Sequence, residues 1–375
     1  MALAHQVYAA DQVNIGIILQ DLMKELRAPL VLGGFLATLF GLGQVVGSNP
    51  AGWLVERKGI SLSLLLGLFT FSLFTLLTGL SLGYWDAGLY RVGLGLGQAV
   101  WNVAFFSYVG TLFAGRRGLG MAILPLNYPI GIVWGAPATA LIAVWWGSWR
   151  APFYLFGLFG FLVLVFLILA IRSIAPRPID TKMAVSIKYY LSVLRTRNVT
   201  LGSLVALFYG LNFASILALY PTYLRSVVMF DPITAGTVMS LQMWVPIILA
   251  PFVLILSDKF GRKPFLSSFG LVAAFSLYLM FHIPPEDFSS AALANLLYGV
   301  SGAGTFALIV AFMQDSVPHE RVGVATGLAN FFIYVGVTVA GPISGFITSL
   351  LGWAMTSLWL IFLSVGLFMA AFLSK

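Results

Sequence analysis

The sequence contains no cysteine, only three histidines and no phosphate-binding loop. The lack of cysteine excludes disulfides and thiolate chemistry. The histidines, His5, His282 and His319, are far apart, so a histidine-rich metal centre is not expected. Without a Gly-x-x-x-x-Gly-Lys-Ser/Thr segment, ATP binding through that motif is excluded. The sequence therefore predicts no metal, no cofactor and no catalytic residues, and we expect that the protein is not an enzyme.

Charged residues are also scarce. They make up 9% of the chain, and apolar residues make up 60%, whereas soluble domains have about 25% and about 45–50%. A soluble chain of 375 residues could not bury so much apolar surface, so we expect a lipid bilayer around it. Residues 2–22 lack the basic region and the cleavage site of a signal peptide. Because Asp11 lies so near residue 1, we expect a few upstream residues to be missing from this sequence.

Twelve apolar segments are long enough to cross a bilayer, which takes about 20 residues in a helix. We number them spans 1 to 12: 2–22, 30–55, 60–83, 86–113, 119–146, 150–173, 199–225, 233–257, 264–284, 289–316, 322–350 and 353–374. The predicted fold is an all-α membrane protein with two pseudo-symmetric six-helix bundles, residues 1–173 and 199–375. A cytoplasmic linker, 174–198, joins them, and its 185–194 part is predicted to be a short amphipathic helix on the membrane surface.

The basic residues are unevenly distributed. The net charge is +8, and fifteen of the 20 lysines and arginines follow spans 2, 4, 6, 8 and 10 or end the chain. Positive residues favour the cytoplasmic side, so both termini are predicted to be cytoplasmic, with the protein in the plasma membrane. This distribution accounts for the positive charge without nucleic acid as a partner. We expect a monomer in the bilayer.

A short charged motif occurs once in each half. The two copies are Glu56-Arg57-Lys58-Gly59 and, 202 residues later, Asp258-Lys259-Phe260-Gly261, which is followed by Arg262. In each copy a glycine three positions after the acid allows the chain to reverse between two spans. Two copies half a chain apart predict an internal repeat, and paired six-helix halves are typical of transporters.

Other residues extend the repeat. Gly95-Leu96-Gly97 in span 4 is matched by Gly302-Ala303-Gly304 in span 10, and such small residues let helices approach closely. Asn127 in span 5 is matched by Asn330 in span 11, at an offset of 203 positions. The two amides would bind a polar solute from two sides, or each would bond a backbone carbonyl where helices cross.

Together these motifs resemble those of the major facilitator superfamily over essentially the whole chain. The segment 52–59 is similar to the signature between that family's second and third helices, and Arg91-x-x-x-Gly95-x-Gly97 resembles its helix 4 motif. The resemblance implies two bundles that work by alternating access. It also implies that the two loop motifs are gates, which close the inner side against the starts of spans 11 and 5. The gating residues would be Glu56, Arg57, Gly59, Asp258, Lys259, Gly261 and Arg262.

Span 1 resembles one branch of this family, the organic anion:cation symporters. Asp11-Gln12-Val13-Asn14 is similar to that branch's Asp-Arg-x-Asn, in which the acid couples protons and the arginine contacts an anionic substrate. Here Gln12 replaces the arginine, and Gln98 lies where the branch often has glutamate. In contrast, Gly131-x-x-x-Gly135-Ala136-Pro137 in span 5 partly resembles a motif of antiporters.

Asp11 lies near the middle of span 1. An ionised carboxylate at that depth costs about 2.5–3.5 kcal/mol, so it should face water or a partner. His5, Tyr8, Asp11 and Gln12 fall on one face of a helix. We predict that Asp11 is a proton-coupling acid in a cavity. The alternative is a structural polar residue that bonds a neighbouring helix.

Arg91 is a cation well inside span 4. Arg91, Gly95, Gln98 and Asn102 form a single helical stripe. Arginine stays protonated at accessible pH and therefore needs a carboxylate or carbonyl oxygens. Asp11 is the candidate partner, and we predict that the two couple protons together. A structural tie between helices is the alternative.

The predicted function is secondary transport of a small organic solute by proton-coupled symport. The alternative is a proton-coupled efflux antiporter for drugs or metabolites, and a membrane-embedded sensor or enzyme is a third class that no motif supports. The second half has no well-buried charge in its spans, so coupling is expected in the first half. The candidate substrate-binding residues are His5, Tyr8, Gln12, Gln98, Asn102, Asn127, Tyr209, Asn212, Tyr298 and Asn330.

Overall fold

The computed structural model describes residues 1–112, 126–171, 187–318 and 321–374. Within these ranges the chain forms helices joined by short turns, and no strand occurs there. In chain order the helices are α1 Ala2–Glu25, α2 Leu30–Lys58, α3 Ile60–Gly79, α4 Tyr84–Leu112, α5 Asn127–Trp146, α6 Ala151–Ile171, α7 Ile187–Leu194, α8 Arg197–Ser226, α9 Pro232–Phe260, α10 Arg262–Met280, α11 Phe288–Ser301, α12 Thr305–Asp315 and α13 Val322–Leu373.

All twelve predicted spans fall on these helices, although the start of span 5 lies in 113–125, outside the described residues. In the described part of the chain, nine helical segments are long and apolar enough to cross a membrane, and one of these is α11 and α12 taken together. The last of them, α13, has 52 residues and contains both span 11 and span 12. The two spans are separated at Gly352, whose backbone is not helical and has a φ of 77°. The prediction of an all-helical membrane protein is confirmed.

Span 10 differs from the expected single helix. It is divided into α11 and α12 at Gly302–Gly304, where Gly304 has a φ of 80°. A methyl group built on Gly304 would lie 3.4 Å from the nearest side-chain atom, which is ordinary contact. These glycines therefore interrupt a helix, and they do not allow a close helix crossing as the sequence suggested.

The chain divides into two compact units. The first unit contains Met1–Lys182 and Asp231–Thr237, and the second contains Met183–Phe230 and Val238–Lys375. The short helix α7 coincides with the amphipathic helix predicted at 185–194. Its Val193 is fully buried in the hydrophobic core of the second unit, with Leu194 packed against that core.

Glycine contacts fix two helix crossings in the first unit. A Cβ at Gly95 on α4 would overlap the carbonyl oxygen of Phe40 on α2. A Cβ at Gly131 on α5 would overlap the carbonyl oxygen of Gln6 on α1, and one at Gly135 would lie 2.6 Å from the Ala10 Cβ. Only glycine allows these backbones to touch. The crossings hold α1, which carries Asp11, against α5.

The second unit repeats both crossings. Gly299 on α11 meets the carbonyl oxygen of Gln242 on α9, and Gly336 on α13 lies against the carbonyl oxygen of Leu207 on α8. Gly299 is thus the structural counterpart of Gly95, a role that the sequence assigned to Gly302. Gly336 is the counterpart of Gly131.

This pairing also changes the match of spans 5 and 11. Gly131 and Gly336 differ by 205 positions, and so do Pro137 and Pro342, which lie inside α5 and α13. The sequence comparison had aligned the two spans at an offset of 203 positions, the separation of Asn127 and Asn330. On the structural offset, Asn127 and Asn330 are two positions out of register, so they do not occupy equivalent places.

The two loop motifs have the same backbone conformation. Gly59 has φ and ψ of 87° and 161°, and Gly261 has 87° and 160°. This region is nearly restricted to glycine. No atom lies within 4 Å of a Cβ built at either position, so backbone conformation rather than space requires the glycine.

A buried polar cluster as the candidate functional site

Asp11 lies at the centre of a polar cluster inside the first unit. Its side chain is buried, at 1% exposure. Oδ2 accepts a hydrogen bond from Gln98 Nε2 at 3.4 Å, and Oδ1 has no hydrogen-bond partner among the residues that the structure describes. The Thr75 hydroxyl on α3, which donates to the Phe71 carbonyl, lies beside the carboxylate. Asp11 is thus enclosed by three helices with one oxygen unbonded.

Arg91 on α4 is the opposite charge of this cluster. It is also 1% exposed, and its guanidinium carbon lies 4.7 Å from the centre of the Phe40 ring. The guanidinium attracts the Asp11 carboxylate electrostatically, but among the described residues its Nε and Nη1 atoms have no hydrogen-bond partner. A buried charge with unbonded atoms is costly. Asp11 and Arg91 are therefore two buried opposite charges that attract each other without a hydrogen bond between them in the described part of the chain.

Gln98 connects Asp11 to two other residues. Its Nε2 donates to the Tyr8 carbonyl at 3.3 Å as well as to Asp11, and its Oε1 accepts from Gln12 Nε2 at 2.8 Å. Gln12 Oε1 in turn accepts from the Tyr128 hydroxyl at 2.7 Å. Three of the predicted site residues, Gln12, Gln98 and Asp11, thus form one hydrogen-bonded chain.

His5 and Tyr8 form an aromatic side of the same cluster. The His5 ring stacks on Phe105 at 4.1 Å and on Tyr8 at 5.1 Å between ring centres. Trp101 Nε1 donates to His5 Nδ1 at 3.3 Å. Both predicted residues therefore adjoin the cluster, and His5 is fixed by packing and by one hydrogen bond.

Asn127 lies at the start of α5 and is held to α1. Gln6 Nε2 donates to Asn127 Oδ1 at 2.9 Å, and Trp134 Nε1 donates to Gln6 Oε1 at 3.3 Å. Asn102 is one turn beyond Gln98 on α4 and is partly exposed.

The predicted site residues of the second unit form their own cluster. Asn212 Nδ2 donates to the Leu360 carbonyl at 3.0 Å and to Ser364 Oγ at 2.9 Å. Its Oδ1 accepts from the Tyr298 hydroxyl at 2.8 Å. Tyr209 lies next to Tyr298 and stacks on Phe213. Asn330 is separate, because its amide donates to the Thr326 carbonyl of its own helix at 3.1 Å.

The loop motifs carry surface charges. Arg262 forms an ion pair with Asp258, one turn earlier, and with Asp315 at 3.3 Å. Lys259 lies over the Phe260 ring at 5.5 Å. Glu56 and Arg57 are exposed in the last turn of α2. The expected partner of Asp258, the start of span 5, lies in 113–125, outside the described residues.

Several residues of the cluster were missed by the sequence analysis. Tyr128 and Trp101 donate hydrogen bonds to predicted site residues, and Phe40 covers Arg91. Aromatic residues are 15% of the chain, so their identity alone carries little signal. Trp101 was accessible from its spacing, because it follows Gln98 by three positions on the same helix. Among the described residues, no group of three or more histidine, cysteine or acidic side chains is placed to hold a metal ion.

Comparisons with known proteins identify the family. A sequence model described as "Major Facilitator Superfamily" matches residues 1–228 and 202–374. The "Cis,cis-muconate transport protein" of Acinetobacter baylyi is 25% identical over 374 residues, which cover 92% of this chain and 86% of that protein. The "Probable L-galactonate transporter" of Escherichia coli is 28% identical over 151 residues, 40% of this chain but only 33% of that protein.

Solved structures agree on the fold. A single-residue mutant of the nucleoside transporter NupG has a TM-score of 0.81 at 14% identity and covers 99% of each chain. A D-xylose-proton symporter has a TM-score of 0.79 at 17% identity, covering 99% of this chain and 94% of that one. The family match over nearly the whole length agrees with the helical architecture, and the chain therefore belongs to the Major Facilitator Superfamily, as a multi-pass membrane transporter and not an enzyme.

Proposed function

We propose that the protein is a proton-coupled symporter that moves a small organic acid by alternating access. The observation that carries this proposal is a pair of buried opposite charges in the first unit. Among the described residues, Asp11 Oδ1 has no hydrogen-bond partner, and neither have two nitrogens of the buried Arg91, which attracts the carboxylate electrostatically. Protonation at Oδ1 would neutralise the carboxylate and leave the positive charge of Arg91 uncompensated. A carboxylate of the solute would then be attracted, so that proton and anion bind together.

The class of solute rests on the relatives and on the donors of the cluster. The related proteins are named for cis,cis-muconate, L-galactonate and galactarate/D-glucarate, all of which are organic acids. In this chain the charge that would attract such an acid is Arg91, because the residue after Asp11 is the neutral Gln12. Neutral donors near it, Gln12 and Tyr128, would supply the remaining hydrogen bonds.

The orientation and assembly are part of the same proposal. The excess of lysine and arginine in alternate loops supports cytoplasmic termini in the plasma membrane. We also propose that the protein is a monomer in the bilayer.

Transport into proteoliposomes tests the proposal. Labelled cis,cis-muconate, L-galactonate and D-glucarate serve as probes, with an inward proton gradient. We expect the wild type to accumulate at least one of them and Asp11→Asn to lose accumulation, because its amide cannot take up a proton. The mutant should still exchange labelled for unlabelled solute, which needs no net proton movement. Wild-type accumulation by Asp11→Asn would refute the proton-coupling role.

The efflux antiporter is the competing function. Its support in the sequence was the glycine pattern of span 5, but the packing of α1 against Gly131 and Gly135 explains those glycines. They no longer favour antiport. The same liposomes decide the direction: under an inward proton gradient a symporter accumulates solute inside, whereas an antiporter expels it.

A further inference from the structure

A chain of hydrogen bonds links a partly exposed tyrosine to the buried carboxylate of Asp11. It runs from the Tyr128 hydroxyl to Gln12 at 2.7 Å, from Gln12 to Gln98 at 2.8 Å and from Gln98 to Asp11 at 3.4 Å. Tyr128 and Gln12 are partly exposed, whereas Gln98 is 0% and Asp11 is 1% exposed. We call Tyr128, Gln12 and Gln98 the amide relay.

The direction of the amide relay is determined at its buried end. Gln98 faces the carbonyl oxygen of Tyr8, which accepts hydrogen bonds and cannot donate them. Gln98 must therefore present its NH₂ group to Tyr8 and Asp11, and its oxygen to Gln12. Gln12 must then present its own NH₂ group to Gln98 and its oxygen to Tyr128. Every bond consequently donates toward Asp11, and the Tyr128 hydroxyl is the first donor.

Such a relay stabilises the ionised form of Asp11. Hydrogen bonds that point the same way polarise one another, and in a buried site each strengthens the next. A donor to an ionised group is also worth more than one to a neutral group. Removing the first donor should therefore weaken the last bond, on which the carboxylate depends.

The other neighbours of Asp11 do not replace this connection. Arg91 faces it from α4 and Thr75 from α3, while His5 on α1 is bonded by Trp101. Helices α2, α5 and α6 also pack against α1. The described ranges of α5 and α6 contain no charged residue, and the charged residues of α2 all lie in its exposed last turn. The relay is thus a continuous hydrogen-bond path from α5 to the carboxylate.

We propose that the amide relay couples solute binding at Tyr128 to protonation of Asp11. An oxygen of the organic acid would accept the Tyr128 hydroxyl in place of Gln12 Oε1. The relay would lose its first donor, the ionised carboxylate would be less stabilised, and a proton from water would bind at the unbonded Oδ1. Solute and proton would then favour each other's binding, as symport requires. This inference rests on the proposed function.

Infrared spectroscopy of the full-length protein tests the relay without a solute. The carboxylic C=O band of protonated Asp11 is identified by its loss in Asp11→Asn and is followed against pH. We expect Gln98→Leu to move the midpoint of this band upward by about one pH unit. Tyr128→Phe should move it in the same direction by less. Trp134→Phe is the matched control, because that residue also donates from α5 to α1 but lies outside the relay.

An unchanged midpoint in both Gln98→Leu and Tyr128→Phe would overturn the inference, and so would an equal shift in Trp134→Phe. The conservative Tyr128→Phe keeps the test valid if Gln98→Leu fails to fold. A second readout uses whichever of the three acids the wild type accumulates. Its affinity should rise as pH falls, and Tyr128→Phe should reduce that rise about fivefold; an unreduced rise would contradict the relay.

Failure of the proposed function gives a different pattern. If the wild type accumulates none of the three acids, or if no band is lost in Asp11→Asn, then Asp11 is not the coupling acid and the relay falls with it. If Asp11→Asn abolishes accumulation while the relay variants behave as wild type, only the relay is wrong.

Discussion

The two units place different chemistry on the same framework. Tyr8 and Asp11 on α1 are followed 201 positions later by Tyr209 and Asn212 on α8, at equivalent places relative to the glycine crossings. Asp11 has one unbonded oxygen, whereas the amide of Asn212 uses both its nitrogen and its oxygen in hydrogen bonds. The first unit holds a carboxylate at this place, and the second holds a neutral amide that is bonded at both ends.

A charge in the first unit is also matched by an amide in the second between α4 and α11, although here the Oδ1 of the amide has no partner among the described residues. Arg91 precedes Gly95 by four positions, and Asn295 precedes Gly299 by four. Asn295 is fully buried, and its amide donates to the Tyr220 hydroxyl at 3.0 Å and to the Ala291 carbonyl at 2.8 Å. Where the first unit keeps a charge, the second has replaced it with an amide. The difference supports our proposal that coupling is located in the first unit.

The largest expected effect comes from removing the charge at one of these two positions. Arg91→Met should lower proton-driven accumulation about tenfold or more, because Asp11 loses its opposite charge. Asn295→Leu, the counterpart in the second unit, should leave the ratio of proton to solute unchanged. Accumulation in proteoliposomes measures both. Equal losses of accumulation in the two variants would show that the two units do not differ in proton coupling.

The next largest effects are expected from substitutions of the glycines at the helix crossings. Gly95→Ala and Gly299→Ala should each destabilise the protein by about 3 kcal/mol, because the methyl group would overlap a backbone carbonyl. Gly88→Ala is the control, since its new methyl group would meet only flexible side-chain ends, the nearest being that of Leu39 at 2.7 Å. Thermal unfolding in detergent compares the three. If Gly299→Ala left the unfolding temperature unchanged, Gly299 would not be the structural counterpart of Gly95.

The loop glycines should respond in parallel. Gly59→Ala and Gly261→Ala should each cost about 2 kcal/mol, because alanine is strained in their shared conformation. Gly52→Ala is the control: that glycine lies inside α2 with no atom within 4 Å of its added Cβ, and alanine favours helix there. Unfolding midpoints that fall for only one loop would show that the two copies differ in their constraints.

A smaller effect is expected at the second unit's polar cluster. Tyr298→Phe removes the donor to Asn212 Oδ1 and should lower stability by about 1 kcal/mol. The pH dependence of transport should stay the same, unlike in Tyr128→Phe. A changed pH profile in Tyr298→Phe would mean that the second unit also takes part in coupling.

The smallest expected effect is on stability at acidic pH, and it comes from the contact between the end of α1 and the loop before α6. Glu25, just beyond span 1, accepts from Arg150 at 2.8 Å and from Trp149 at 2.7 Å, while Trp353, the counterpart of Trp149, packs on Tyr223. The Arg150 hydrogen bond, followed by that from Trp149, lowers the pKa of Glu25 below its ordinary value. This contribution is present above the ordinary glutamate pKa and is lost as pH falls through the lowered one. Since Glu25 is half exposed, it amounts to about 0.5 kcal/mol or less.

The measurement is thermal stability between neutral and acidic pH, compared with Glu25→Gln. The variant should lack this small acid-dependent loss. If the stability of the wild type and of the variant changed with pH in the same way, the Glu25 contact would depend on packing rather than on charge. Packing is also what holds Trp353 against Tyr223 in the second unit.

Helix positions and the polar face of span 1 could be predicted from the sequence, because apolar length and helical spacing are local properties. Asp11, Gln12 and Gln98 were each predicted as site residues, and the structure joins them by hydrogen bonds. The register of the repeat could not be predicted, since Gly299 and Gly302 look alike until a neighbouring backbone distinguishes them. Tyr128 was missed for a similar reason: its hydrogen bond joins residues 116 positions apart.

The interruption at Gly304 has a mechanical consequence. In the first unit, α4 is one unbroken helix of 29 residues that carries Arg91 and Gln98. Its counterpart consists of pieces of 14 and 11 residues, and each is too short to cross a bilayer alone. Two short helices joined by non-helical residues bend at the junction more easily than one continuous helix does. We therefore expect the second half to bend more readily at Gly304 than the first half does along α4, the continuous helix that carries Arg91 and Gln98.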